Sequence, residues 1–316
     1  MVGCVIVHND TIIGQGYHKK NGESHAEVNA INSVKDLKML EESTLFVNLE
    51  PCSHTGKTPP CSDIIIKYKI PRVVIGCIDP FPKVSGEGIK KMESAGITVQ
   101  HGCLSTQSKE LNKRFIIFHT KKRPYITLKW AQSQDKFIAP KNQKEPLWLT
   151  CEKSKELVHK WRGEEDAVLI GRITAKLDNP KLTVREVNGR NPIRIVIDRK
   201  LRLPNSINIY NDEARTITFN SVKNTKIGSN EFIKIDFKDM VNQILHVLYK
   251  KNIQSVIIEG GSITLQSFID QEIWDEARVF TTKTMLLDGV RAPEINKGQY
   301  SKKKIGNDNL SIILND

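Results

Sequence analysis

The chain has 316 residues, a formal net charge of +12, 39% hydrophobic residues and 27% charged residues. That is the balance of a soluble globular protein, long enough for two domains with separate cores. No apolar run approaches a membrane span and no basic-then-apolar leader opens the sequence, so neither a membrane protein nor an exported one is expected.

Six cysteines, Cys4, Cys52, Cys61, Cys77, Cys103 and Cys151, are scattered along the chain. That pattern suits reduced cytoplasmic thiols better than a disulfide framework. The positive charge is compatible with nucleic acid or with phosphorylated metabolites. The lysines form short clusters (Lys19-Lys20, Lys121-Lys122-Arg123, Lys302-Lys303-Lys304) without the interleaved aromatics of a nucleic-acid platform, so no nucleic-acid partner is expected.

In chain order, residues 1–7 read as a buried strand, Asn9-Asp10 as a turn and residues 11–17 as the second strand of a hairpin. Gly14 and Gly16 in that strand mark a bulge or the close approach of a ligand. A helix follows from His25, where Ser24-x-x-Glu27 has the form of a capping box. Residues 43–49 read as a strand, 61–68 as a helix, 72–77 as a strand, 86–95 as a helix and 97–99 as a strand. This alternation implies a three-layer α/β sheet.

Two stretches carry the chemistry. Ser24-His25-Ala26-Glu27 sets an imidazole two residues before a carboxylate. Leu49-Glu50-Pro51-Cys52-Ser53-His54-Thr55-Gly56-Lys57-Thr58-Pro59-Pro60-Cys61 adds two thiols. One His and two Cys are three ligands for zinc, and a fourth position open to water makes such a site catalytic. Zinc lowers the pKa of that water, and Glu27 is placed to shuttle protons beside it. A His with two distant Cys is often chance. Here each ligand set follows a strand-like run and meets a helix start, which favours the metal. The helix starts aim their positive ends at the thiolates. The pattern H-x-E with P-C…C is the signature of zinc nucleobase deaminases.

Residues 102–119 read as one helix leading out of the first domain. Lys121-Lys122-Arg123-Pro124 is a charged, Pro-ended joint, which places the boundary between 1–121 and 122–316. A strand follows at 125–131. Thr150 is the expected N-cap of a helix running to Trp161-Arg162. Strands are expected at 167–171, 193–198 and 256–259. The last runs into Gly260-Gly261-Ser262 and a helix over 263–270. A strand–Gly-Gly–helix corner is a phosphate cradle, since glycine admits the oxygens and the helix start offers free N–H groups. It is also a common plain turn.

Cytidine and tRNA-adenosine deaminases usually have Cys-x-x-Cys. Here eight residues, Ser53 to Pro60, separate the thiols. The string from Glu50 to Cys61 resembles the RibD family, the bifunctional pyrimidine deaminase/reductases of riboflavin biosynthesis. Residues 124–138, 166–185 and 257–265 resemble the reductase half of that family, whose fold is like that of dihydrofolate reductase. The likeness is strong around the thiols and poor over 201–239.

The resemblance implies an α/β protein with a cytidine-deaminase-like three-layer domain at 1–121 and a dihydrofolate-reductase-like domain at 122–316. It implies zinc on His25, Cys52 and Cys61, proton transfer by Glu27, and substrate contacts from His18, Lys57 and Asp79. In the second domain it implies NADPH at Trp148, Thr174, Asp178, Gly261, Ser262, Ile263, Thr264 and Leu265. Arg162, Leu182, Arg185 and Glu259 would face a ribosyl phosphate, and Lys129 the reacting sugar. A guanidinium fork suits a phosphate, although Arg162 and Arg185 also read as surface arginines and Lys129 as an edge lysine.

The implied function is deamination of a diaminopyrimidinone ribosylamine phosphate, followed by NADPH-dependent reduction of its ribosyl group to ribityl. The implied setting is the cytoplasm and the implied assembly a homo-oligomer. Three departures stand out: Phe81 replaces an Asn, Lys136 a Gly and Arg199 a Ser. The family also carries a helix and an Asn-Pro pair ahead of the position of Val2-Gly3. A misassigned start and a shortened domain both account for that. Two rival functions follow: a reductase whose first domain is a zinc-stabilised scaffold, and a nucleoside or tRNA deaminase fused to a binding module.

Overall fold

The computed structural model describes residues 1–20, 22–55, 59–81, 85–142, 145 and 147–315. The chain forms two compact units, Met1–Lys121 and Lys122–Asp316.

The first unit runs β1 (Gly3–His8), β2 (Thr11–Tyr17), α1 (Ala26–Asn32), β3 (Thr44–Leu49), α2 (Cys61–Lys67), β4 (Arg72–Cys77), α3 (Glu87–Ser94), β5 (Thr98–His101), α4 (Ser105–Leu111) and α5 (Lys113–Lys121). Its sheet has the order β2-β1-β3-β4-β5. The first two pairings are antiparallel and the last two parallel. Asn9 and Asp10 both take positive φ, 46° and 58°, which is the backbone a two-residue hairpin requires.

Alternation along β4 explains the layers, because successive side chains leave a strand on opposite faces. Val73 and Ile75 join Ala30, Ile65, Ile89 and Met92 of α1, α2 and α3 in one buried cluster. Gly76 points the other way, where an added Cβ would lie 2.2 Å from Ser108 Oγ of α4. Helices therefore cover both faces, as the alternation of elements predicts.

One local expectation is met in part and two give way. Gly14 and Gly16 make room for α1: a Cβ would lie 2.6 Å from Ala30 O and 2.4 Å from Ala30 N respectively. The pairing runs from Ile6–Gly14 to Val7–Ile12 and skips Ile13, so the bulge lies in β2 beside Gly14, as expected. The capping box is not formed. His25 is the N-cap of α1, with no side-chain cap bond among the described residues, and Glu27 is buried. The single helix expected over 102–119 breaks at Asn112, whose Oδ1 accepts from the Met1 amine at 2.7 Å and whose Nδ2 donates to Ser108 O.

The second unit runs β6 (Tyr125–Gln132), β7 (Phe137–Pro140), α6 (Glu152–Glu164), β8 (Ala167–Gly171), α7 (Arg172–Asp178), β9 (Ile193–Ile197), β10 (Thr216–Asn220), β11 (Thr225–Ile227), β12 (Asn230–Lys234), α8 (Met240–Lys250), β13 (Ser255–Ile258), α9 (Ser262–Asp270), β14 (Glu276–Thr281), β15 (Gly289–Arg291), β16 (Gln299–Ile305) and β17 (Asp308–Leu314). Ten strands form one sheet in the order β11-β12-β10-β9-β8-β13-β6-β14-β17-β16, and β7 pairs with β15 separately. The middle of the sheet is parallel and its apolar strands are buried on both faces, as crossover helices require. Val241, Ile244, Leu245 and Leu248 of α8 repeat at helical spacing and are buried.

Thr150 is not the cap of α6. Cys151 holds that position, its N–H donates to Asp308 Oδ2 at 2.9 Å, and Ser154 Oγ donates to the same oxygen at 2.6 Å. A carboxylate from β17 thus serves the helix start. Lys136 has φ 63°, in the left-handed region that favours glycine, so the lysine occupies a turn suited to the Gly it replaces.

Candidate functional site

The parallel strands β3 and β4 lie side by side, so the loops leaving their ends meet. Cys52 and Asp79 sit on those loops, and α1 and α2 begin there with His25 and Cys61. His25 Nδ1 lies 3.2 Å from Cys61 Sγ and 3.6 Å from Cys52 Sγ. All three donor atoms fall within 4.8 Å of one another. The Cys61 N–H donates to Cys52 Sγ at 3.3 Å, leaving the sulfur aligned toward the cluster. A hydrogen bond from the Cys61 thiol and another from His25, against the opposing effect of burial, draw the Cys52 thiol down to about 4. One imidazole nitrogen and two sulfurs, one of them readily a thiolate, are a donor set that fits zinc with one position left over. Cys4 and Cys77 lie outside the cluster, and burial pushes both thiols up.

Glu27 is buried beside this set and shares a hydrogen bond with Cys61; burial raises its carboxyl to about 6. The His18 ring meets the His25 ring edge-on at 5.2 Å. Its Nε2 is buried without a hydrogen-bond partner among the described residues. A cleft of about 610 Å³ is lined in part by Gly3, Gly16, Asn29 and the two chain neighbours of His18, Tyr17 and Lys19. Asp79 is also buried, which raises its carboxyl to about 6, and it accepts from the Phe81 N–H at 2.7 Å. Where the family has an Asn, the Phe81 ring packs against His54 and His119 at 5.9 and 5.1 Å. Lys57 lies outside the described residues.

In the second unit, Glu259 follows β13 and is the centre of a buried charge cluster. Arg162 on α6 grips both its oxygens, Nε at 2.6 Å and Nη2 at 2.7 Å, and Lys129 Nζ on β6 lies 3.6 Å from Oε2. Burial alone would raise the Glu259 carboxyl; Arg162 and Lys129 reverse this and hold it at about 2. Burial lowers the Lys129 ammonium, opposed by Glu259. Arg162 is therefore not a surface arginine, and Lys129 lies on β6 inside the sheet and not at its edge. Leu182 is buried with φ 54°, and Arg185 Nη1 donates to Thr183 Oγ1 at 2.9 Å.

Next to Glu259 the Gly-Gly corner is as tight as glycine implies. A Cβ on Gly260 would lie 2.5 Å from Ile170 Cα. Gly261 has φ 57° and ψ 138°, a region that side-chain-bearing residues avoid. Thr174 Oγ1 lies 3.4 Å from a Cβ built there, which brings α7 and the start of α9 together. Ser262, Ile263 and Thr264 precede the first helical bond of α9, from Leu265 N–H to Gly261 O, so their N–H groups lack helical acceptors. Leu265 itself packs into the core. Ile263 and Trp148 are exposed, and Lys155 Nζ lies 5.4 Å above the Trp148 ring. Asp178 ends α7. Arg199 stacks on Phe237 at 5.3 Å.

Two buried residues escape the sequence reading. Glu50 accepts four backbone N–H groups: Asp79 at 3.2 Å, Gly86 at 3.0 Å, Gly88 at 3.0 Å and Ile89 at 3.4 Å. It ties the Cys52 loop to the Asp79 loop and to the start of α3. The acid standing directly before Pro51-Cys52 is the signal that points to it. His159, three residues before Arg162 on α6, is the other.

Two family profiles match the chain: the RibD C-terminal domain over residues 124–298, and the cytidine and deoxycytidylate deaminase zinc-binding region over residues 1–77. The riboflavin biosynthesis protein RibD of Aquifex aeolicus is 39% identical over 99% of this chain and 90% of its own. That of Bacillus amyloliquefaciens is 37% identical over 95% of this chain and 82% of its own. Among solved structures, a diaminohydroxyphosphoribosylaminopyrimidine deaminase/5-amino-6-(5-phosphoribosylamino)uracil reductase from Thermotoga maritima superposes with a TM-score of 0.90 at 35% identity, covering 100% of this chain and 92% of that one. RibD of Acinetobacter baumannii gives 0.89 at 28%, with the same coverage. With a zinc-type His/Cys/Cys cluster in one unit, a reductase-type Gly-Gly corner in the other and relatives alike over most of their length, the chain belongs to the RibD family, the zinc-dependent deaminases fused to NADPH-dependent reductases of riboflavin biosynthesis.

Proposed function

We propose that residues 1–121 carry the deamination and residues 122–316 the reduction, acting in turn on a diaminopyrimidinone ribosylamine phosphate and on its deaminated product. The observation that carries the first half is the His25–Cys52–Cys61 cluster with the buried Glu27 carboxyl against it. Zinc, when bound, supplies Lewis-acid activation of the attacking water, and NADPH, when bound, supplies the hydride. Glu27, held near pH 6, takes the proton from the water and delivers it to the leaving amine nitrogen, and ammonia departs. His18 Nε2 and the Asp79 carboxyl are the polar groups assigned to the pyrimidine edge, and Lys57, outside the described residues, is assigned to the substrate by the family likeness.

In the second unit, Lys129 polarises the opened ribose and Glu259 holds Lys129 and Arg162 in place. Arg185 takes the phosphate, and Thr174, Asp178, Trp148 and residues 261–265 receive the cofactor. A cytoplasmic setting is supported by the six unpaired cysteines, two of which must stay reduced to ligate. No helix among the described residues is long and apolar enough to cross a membrane. Homo-oligomer formation is part of the proposal and is read from the mass in solution.

The test feeds the diaminopyrimidinone ribosylamine phosphate with and without NADPH and identifies the products. Without NADPH, ammonia and the deaminated ribosyl compound are expected; with it, the ribityl compound. Glu27→Gln should retain zinc, since Glu27 is no ligand, while deamination falls by about 10² or more. Reduction of supplied deaminated substrate should be unchanged, and its loss would show that the two sites are not separate.

Gly261→Val should weaken NADPH binding, because the branched side chain cannot adopt the observed backbone and its Cβ enters the space beside Thr174. Titration of NADPH fluorescence reads this directly. Unchanged affinity would reduce the corner to a turn.

A further inference from the structure

We propose that His159 is a positioning residue of the reductase site: a neutral acceptor on α6 that sets the loop carrying Arg185 against the substrate phosphate. The inference rests on the reading of Arg185 given above.

His159 is 1% exposed, and its Nδ1 accepts the Arg185 N–H at 3.2 Å. It lies three residues before Arg162, so the two side chains leave the same side of α6. Arg162 holds Glu259 by both oxygens. One face of one helix therefore fixes the acid at the centre of the site and the main chain of the arginine above it.

The direction of the bond settles the protonation state. A backbone N–H only donates, so Nδ1 must present its lone pair and any ring proton must sit on Nε2. The surroundings agree: burial, then the Arg162 and Arg185 cations, against Glu186 and Glu259, push the imidazole down to about 4. Histidine thus supplies an acceptor between two guanidinium groups without adding a third positive charge. The rest of the loop is held independently. Leu182 is buried with φ 54°, and the Val184 N–H donates to Asn191 Oδ1 at 2.9 Å. Leu182 also packs with Val158 and Trp161 of α6, and Lys155 of α6 pairs with Glu186 at 3.2 Å, so what the His159 bond adds is a hold on the main chain of Arg185 itself.

A buried histidine that merely fills space would act on stability and on both ligands alike. A positioning role predicts an asymmetric result in the full-length, zinc-loaded protein, followed by NADPH oxidation with the deaminated pyrimidine ribosyl phosphate. His159→Leu should raise the KM for that substrate by about 3- to 10-fold, the range of one neutral hydrogen bond. The KM for NADPH should stay within about twofold. His159→Asn should restore most of the loss, because its amide oxygen falls near the place of Nδ1. His159→Gln, whose amide sits at the Nε2 position, should not, and it covers the case in which leucine prevents folding. Arg185→Ala should raise the same KM, and adding His159→Leu to it should change nothing further, since the effect passes through Arg185. A raised substrate KM in Arg185→Ala with an unchanged one in His159→Leu and His159→Gln would overturn the proposal alone. So would an equal rise for NADPH. An unchanged substrate KM in Arg185→Ala would overturn the phosphate reading of Arg185 and the proposal with it.

Discussion

Cys61→Ser is expected to empty the metal site and abolish deamination while reduction of supplied deaminated substrate continues. The Cys61 side chain is wholly buried, at the first residue of α2, 3.2 Å from His25 Nδ1. A serine hydroxyl does not ionise near neutral pH and is a poor partner for zinc, so one of three protein ligands is lost. With only an imidazole and one sulfur left, zinc content should fall from about one per chain to near zero. The Cys61 N–H to Cys52 Sγ bond is a main-chain contact and survives the change, so the loop should keep its course. Elemental analysis and ammonia release, measured on the same sample, decide the matter. Zinc retained with deamination intact would remove Cys61 from the site.

Glu259→Gln is expected to have the largest effect in the second unit. The Glu259 side chain is 5% exposed, and two cations converge on it. Removing the charge leaves Arg162 and Lys129 buried without a counter-ion, a change that typically costs about 3–5 kcal/mol. Reduction should fall by about 10² or more, because the groups facing the sugar and phosphate lose their anchor. All four tryptophans, Trp130, Trp148, Trp161 and Trp274, lie in residues 122–316, so urea denaturation followed by tryptophan fluorescence reports this unit alone. The same carboxylate gives the native protein a pH signature. Its folded pKa of about 2 lies below the ordinary 4.5. The stabilisation is therefore complete above pH 4.5 and is lost as pH falls from there through about 2. Linkage puts its size at about 3 kcal/mol. Glu259→Gln should lack that acid-side loss. A variant as stable as the parent at neutral pH would mean that the cations find other partners.

What the sequence makes legible is local. The hairpin at Asn9-Asp10, the strand before Gly260-Gly261 and the helix starts at His25 and Cys61 all lie within a few residues of their signals: turn residues, apolar runs and ligand types. What stays hidden depends on partners far along the chain. Asp308 serves the start of α6 from across the sheet, about which Thr150 says nothing. Asn112 ends α4 with its Oδ1 on Met1, 111 residues away in sequence. Arg194 sits fully buried in β9, with Thr216, Asn208, Asn211 and Ala214 around its guanidinium. In sequence it reads as an interruption of an apolar strand. The strands β10, β11 and β12 fall where the family likeness is poor, and they are short and interspersed with polar residues. The same limit applies to the site. His25, Cys52 and Cys61 are identifiable because metal ligation restricts residue type and spacing, whereas Glu50 and His159 act on main-chain N–H groups, which leave no trace in residue identity.

Glu50 also narrows what substitution can do at its position. Its carboxylate meets four N–H groups that face one another across two loops and a helix start. Aspartate is a methylene too short to reach all of them from the same strand end. Glutamine would turn an NH2 group toward donors, leaving one oxygen for four bonds. An apolar residue would leave all four donors unsatisfied beside the thiol loop. Position 50 is thus close to a single-letter position, although its side chain is not assigned to the metal or the substrate. Drift in this part of the chain should be confined to the residues around it.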